Sequence, residues 1–122
     1  QLCVAGDQIV YHSDEQTWAG VVYLTPDAPP QGGTSMYRSK GNLMRSVAEA
    51  EKAGCEGTQA ASEMYDNKLL DGTAWELIDD FGNVYNRLVL WNAKMVHAAT
   101  SYFGHDLGSG RLFQMFFFDA EP

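Results

Sequence analysis

The sequence predicts an all-β core, an antiparallel sandwich or jelly-roll barrel, carrying a partly helical insert at about residues 40–85. Two observations carry that prediction. About eight short segments rich in β-branched and aromatic residues recur at hairpin-like spacing, each bounded by Gly, Pro or Asn. The middle of the chain breaks this rhythm with a run of helix formers. No internal repeat or low-complexity stretch appears.

Leu2–Ala5 is a short apolar run stopped by the turn pair Gly6-Asp7. Ile9–His12 reads as the next strand, and Trp18–Leu24 as a stronger one. Pro26, Pro29, Pro30, Gly32 and Gly33 then exclude helix or central strand, because proline lacks the N–H both need. Thr34–Arg38 is a further short strand.

Ser46 with Glu49 predicts a capping box, opening a helix over Val47–Ala53 that Gly54 ends. A second short helix is expected over Thr58–Tyr65. Strands resume at Trp75–Phe81, at Arg87–Trp91 and, after the tight turn Asn92-Ala93-Lys94, at Met95–Ala98. The glycine-rich stretch Gly104–Gly110 predicts a loop before the last strand, Arg111–Phe118. Period two puts Arg111, Phe113, Met115 and Phe117 on one face of that strand, and Leu112, Gln114, Phe116 and Phe118 on the other. Both faces are mostly apolar, so something is expected to cover the side turned away from the core.

The 122 residues suffice for a single domain spanning 1–122 with one core. Gln1 in place of Met predicts a trimmed or processed start with an upstream segment missing. The net charge of −8 and the scatter of the few lysines and arginines predict no nucleic-acid partner, since no basic stripe faces a phosphate backbone. No apolar run approaches the roughly 20 residues of a membrane-spanning helix, so no membrane partner is expected. Cys3 and Cys55, without a CxxC, predict free thiols and a cytoplasmic location.

The chemistry gathers at His12-Ser13-Asp14. In an extended chain residues i and i+2 project from one face, so His12 and Asp14 can reach one ion together. His97, on a later strand, is the candidate third ligand. Two imidazoles and one carboxylate form the facial triad of non-haem iron(II) sites, which leaves coordination positions open. An HxD alone is weak, and it reads equally as a solvated His and Asp beside a turn. Arg111 adds weight. A guanidinium on an apolar face needs an anion, and its planar fork suits a carboxylate. An ion pair with Asp106 or Asp119 would meet the same need.

These residues, in this order, resemble the iron(II)/2-oxoglutarate-dependent oxygenases, particularly the prolyl 4-hydroxylase-like branch. QLCVAGDQIVYHSD resembles the two core strands that lead into the HxD, and WAGVVYLTPDAPPQGGTSMY the following pair, ending in a GG-x-x-x-aromatic strand. NRLVLWNAKMVHAATSYFG resembles the turn and strand bearing the distal His, and GRLFQMFFF the strand bearing the cosubstrate-binding Arg. More narrowly, YNRLVL and FG-x-D-x-x-x-GRLFQ-x-FFF resemble a bacterial and phage group of such proteins.

The resemblance implies a double-stranded β-helix (jelly roll) and a 2-oxoglutarate- and Fe(II)-dependent dioxygenase. Its metal would rest on His12, Asp14 and His97, with 2-oxoglutarate on Arg111. Tyr23 stands where relatives have a tyrosine that donates to the same carboxylate, although a core aromatic is an equal reading of that position. The partners implied are 2-oxoglutarate, molecular oxygen and a peptide or small-molecule substrate. Halogenating relatives carry a small residue where Asp14 stands, so the resemblance implies hydroxylation. The chain departs from the family in beginning almost at the first core strand, without the usual preceding helices, and in the size of its insert.

His105, on the glycine-rich loop, reads as solvated, and Trp18, Trp75 and Trp91 as core, with Trp91 the best pocket candidate among them. Asn86 and Arg87 are expected to orient a turn or to touch substrate. Two other function classes fit the strand pattern: a non-catalytic cupin-like module that holds a metal or ligand, and a structural jelly roll. The first leaves Arg111 without a purpose inside, and the second makes the triad a coincidence.

Overall fold

Period-two segments need partners, and they find them in two antiparallel sheets. The computed structural model describes residues 1–54, 62, 65 and 68–120. Its elements are β1 (Leu2–Cys3), β2 (Trp18–Tyr23), β3 (Thr34–Ser39), α1 (Val47–Lys52), β4 (Trp75–Phe81), β5 (Leu88–Asn92), β6 (His97–Ala99) and β7 (Arg111–Phe118). The four-stranded sheet has the order β1-β7-β2-β5, and the three-stranded sheet the order β4-β3-β6. The all-β expectation holds, and β4 and β7 have the predicted limits. No helix among the described residues is long and apolar enough to cross a membrane.

The register of the larger sheet sorts its side chains. Ala19, Val21 and Tyr23 of β2 lie opposite Phe117, Met115 and Phe113 of β7, and Ala19 also faces Trp91 of β5. Ala19, Val21, Tyr23, Trp91 and Phe113 are buried there together with Met36 of β3, so one core joins the two sheets. A second cluster is built on Trp75 and Val96, with Tyr11, Tyr37, Met44, Val47 and Tyr65 packed against it. This second cluster links the insert to the smaller sheet.

Several expectations are corrected. Ile9–His12 is not a strand: its single pairing is the bridge between His12 and His97, while Tyr11 N donates to Leu69 O instead of to a neighbouring strand. The segment expected at Met95–Ala98 becomes a strand only from His97: Met95 N closes the turn onto Asn92 O, and Met95 and Val96 pair instead with the Arg45–Ser46 segment through one isolated bridge. The helix cap is half a capping box. Ser46 Oγ accepts from Glu49 N, but Glu49 Oε2 accepts from Arg45 N, one residue before the cap. Of the helix expected at Thr58–Tyr65 only residues 62 and 65 are described, and Cys55 lies outside the described residues. Cys3 is a buried free thiol.

The cover expected over the outer face of the larger sheet is not found among the described residues. Trp18, Leu88, Leu90, Phe116 and Phe118 of that face are 37–55% exposed. The turn before β5 does match one expected role: Asn86 sits at φ 65° and donates N–H to Tyr23 O, while Arg87 Nη1 donates to Gly82 O.

Gly33 is the tightest point of the frame. A Cβ there would stand 1.8 Å from Phe81 O, a backbone atom that cannot step aside. Gly33→Ala therefore forces β3 and β4 apart and should cost about 2 kcal/mol or more. Urea unfolding followed by tryptophan fluorescence checks this. An unchanged midpoint would show that β3 and β4 do not approach this closely.

Candidate metal centre

The segment around residues 10–14 is extended, so His12 and Asp14 fall on one side of it. His12 and His97 exchange both backbone hydrogen bonds, N to O at 3.1 Å and 2.8 Å, which places the two histidines directly opposite each other. Asp14 N donates to Ala93 O at 2.7 Å, fixing the carboxylate beside them. The ring centroids of the two imidazoles are 4.5 Å apart, and one ligand atom from each of His12, Asp14 and His97 lies within 4.8 Å of the others.

Tautomer decides what this cluster can do. His12 Nδ1 is 2.8 Å from Val10 O, and His97 Nδ1 is 2.8 Å from Met95 O. A carbonyl can only accept, so each Nδ1 carries the proton and, in the neutral ring, each Nε2 presents a lone pair to the cluster. His97 Nε2 then stands 3.1 Å from Asp14 Oδ2, and His12 Nε2 stands 3.7 Å from Asp14 Oδ1. His97 Nε2 and Asp14 Oδ2 are buried and have no hydrogen-bond partner. Facing acceptors repel unless a cation lies between them. Ligands at right angles around an ion held at about 2.1 Å are about 3 Å apart. The donor set and its spacing fit a divalent metal ion.

Burial pushes the Asp14 carboxyl up, but the contact with His97 and the charges of both imidazoles outweigh it, leaving Asp14 below the ordinary carboxylate range. Asp14 is thus ionised at neutral pH, as a ligand must be. The carbonyls that hold the two Nδ1 atoms set ring orientation, the usual task of a ligand's outer partner.

Arg111 begins β7 and is 3% exposed. Its Nε donates to Gly32 O at 2.8 Å, and its Nη2 to Gly33 O at 3.0 Å and Thr34 Oγ1 at 3.3 Å. Its Cζ lies 4.5 Å from the Phe113 ring centroid and 5.6–5.7 Å from those of Tyr23 and Tyr102. Among the described residues no carboxylate pairs with it. Asp106 is taken by Ser109, and Asp119 accepts from Thr17 N. Neutral carbonyls and ring faces therefore hold a positive charge inside the protein. Burial pulls its pKa below the ordinary arginine value against the opposing pull of Tyr23, Tyr102 and Cys3, yet a guanidinium keeps its proton at neutral pH. Such a charge calls for an anion.

One cavity of about 210 Å³ is lined by His12, His97, Trp91, Thr34, Arg111 and Phe113, among others. The imidazoles and the guanidinium thus share a single space. Tyr23 is fully buried beside Arg111, but its hydroxyl donates to Thr34 Oγ1 at 2.7 Å and Tyr23 does not line the cavity. Thr34 does. The sequence marked it only as a strand residue, and Tyr102, another lining residue, only as part of the stretch that resembles the distal-His strand. Asn83, just after β4, is buried and donates Nδ2 to Gly32 O, the carbonyl that also holds Arg111 Nε. His105 is exposed and bonded within its own loop, outside the site.

Residues 6–118 match a family of unknown function, DUF6445. The chain belongs to DUF6445. No curated protein and no solved structure matches the chain. For this DUF6445 domain the cluster makes a direct prediction. Co(II) or Fe(II), titrated anaerobically by calorimetry, should bind at one ion per chain, and Asp14→Ala or His97→Ala should weaken binding by about 100-fold or more. His105→Ala should leave it unchanged. Equal affinity in all four proteins would place the metal elsewhere.

Proposed function

We propose that this chain is an iron(II)- and 2-oxoglutarate-dependent dioxygenase domain of double-stranded β-helix (jelly-roll) type, which hydroxylates an unactivated C–H of a peptide residue or small metabolite. The observation that carries the reading is the shared cavity: the two imidazoles of the His12–Asp14–His97 cluster and a buried, acid-free guanidinium line the same space. Nitrogen and carboxylate ligands with open positions suit iron(II). A guanidinium set apart from that cluster suits the far carboxylate of a ligand that chelates the metal at its other end. A module that only holds a metal gives Arg111 no anion to bind.

Iron(II) with 2-oxoglutarate and oxygen supplies the oxidising chemistry, leaving succinate and carbon dioxide as coproducts. The chain's own residues do the rest. His12, Asp14 and His97 would hold the ion. Arg111 binds and aligns the dicarboxylate, with its own angle fixed by Gly32 O, Gly33 O and Thr34 Oγ1. Tyr23 acts through Thr34. Phe113, Met115 and Phe117 give the cavity an apolar wall that excludes water and strengthens each charge contact.

The test is spectroscopic. Fe(II) and 2-oxoglutarate added anaerobically should give a visible metal-to-ligand charge-transfer band. Arg111→Gln should still bind Fe(II) but need about 100-fold more 2-oxoglutarate, as expected for losing charge-assisted hydrogen bonds to a carboxylate. A wild-type protein that binds Fe(II) yet shows no band would defeat this reading.

A further inference from the structure

The metal-ligand segment has two sides, and only one has been used so far. His12 and Asp14 face the cluster; Tyr11 and Ser13, the alternate positions, face the other way, as period two requires. There Tyr11 meets Tyr37 of β3 edge-on at 5.0 Å, and both residues meet the cluster that the insert builds around Trp75. Tyr11 N donates to Leu69 O at 2.8 Å, and the Tyr11 ring stacks on Trp75 with centroids 5.9 Å apart and planes 10° from parallel. Ser13 Oγ forms a short hydrogen bond with the Tyr65 hydroxyl. Tyr65 in turn packs edge-on against Trp75 at 6.0 Å, and Trp75 Nε1 donates to Lys68 O at 2.8 Å. The insert grips the segment at the two positions flanking His12.

We infer that Tyr65 is a positioning residue, which sets the metal-ligand loop through its hydrogen bond to Ser13. The segment is not part of a strand. Among the described residues its only sheet-type pairing is the one bridge at His12. The bridge at His12 and the Asp14 N–Ala93 O bond hold the backbone of the two ligands, but neither holds Ser13 between them. Ser13 sits between the two ligands, so holding its hydroxyl fixes the backbone on both sides. His12 is the least buried of the three ligands, its side chain 42% exposed. It therefore has the most freedom for such a grip to remove. The inference rests on the metal-centre reading and assigns the insert a role in it.

A double-mutant cycle on metal affinity tests this. Co(II) is the probe, titrated into wild type, Ser13→Ala, Tyr65→Phe and the double variant; Tyr65→Phe keeps the ring on Trp75 and removes only the hydroxyl. Each single change should weaken Co(II) binding about tenfold and alter the visible Co(II) spectrum, the double change should do no more than either, and Ser13→Thr should restore affinity. The metal-free melting temperatures should stay close to wild type. Single variants that bind as wild type does, or losses that multiply in the double variant, would overturn the inference while leaving the metal centre standing. So would a fall in the metal-free melting temperature large enough to explain the weaker binding. Absence of Co(II) binding by the wild type would remove the metal centre and this inference together.

Discussion

Two backbone hydrogen bonds between His12 and His97 set the geometry of the whole site. They join a loop near the start of the chain to a three-residue strand near its end, and so set His12 against His97, which β3 and Trp91 already hold. Each ring is then turned by a carbonyl two residues before it, Val10 O for His12 and Met95 O for His97. The same local device, used twice, aims both Nε2 lone pairs at one carboxylate. Backbone geometry brings three acceptors together, and the repulsion between them is what a cation bound there would relieve.

The opposite imbalance sits at the other end of the sheet interface. Arg111 is enclosed by carbonyls and aromatic faces, which orient a guanidinium but do not neutralise it. Removing a charge from water costs several kcal/mol unless a counter-charge repays it. The two imidazoles of the cluster and the guanidinium line one cavity. A ligand that chelates an ion at one end and carries a carboxylate at the other would satisfy both at once, so the two imbalances are more informative together than apart.

How much of this was legible in the sequence depends on where each signal lives. β7 and β4 were legible because seven or eight consecutive strand-type residues leave no other period. His97 and Arg111 were legible because such side chains have few other reasons to occur on apolar strands, and His12 and Asp14 because an HxD puts two ligand types at i and i+2. Ile9–His12 misled because strand-type residues do not by themselves supply a partner, and Leu69 O competes for the Tyr11 N–H. The holders of Arg111 were illegible for a different reason. The Gly32 and Gly33 carbonyls are backbone atoms, which leave no residue-type signature beyond the need for glycine where Phe81 and Phe103 approach. Thr34, Asn83 and Tyr65 act by contacts between distant segments, which no local pattern encodes.

Placing metal ligands on a short extended segment has a mechanical consequence. A residue inside a sheet is held by neighbours on both sides, whereas the 10–14 segment has the smaller sheet's β6 on one side only. A net hydrogen bond contributes about 1 kcal/mol, so the His12–His97 bridge and the Asp14 N–Ala93 O bond leave such a segment able to open locally, even in a stable fold. The insert supplies the missing second side. It adds the Leu69 carbonyl, the Trp75 ring and the Tyr65 hydroxyl at alternate positions to those the metal uses. The insert thus does for this segment what a neighbouring strand would do, with side chains in place of a ladder. Its contacts fall on Tyr11 and Ser13 because period two leaves those side chains nowhere else to point.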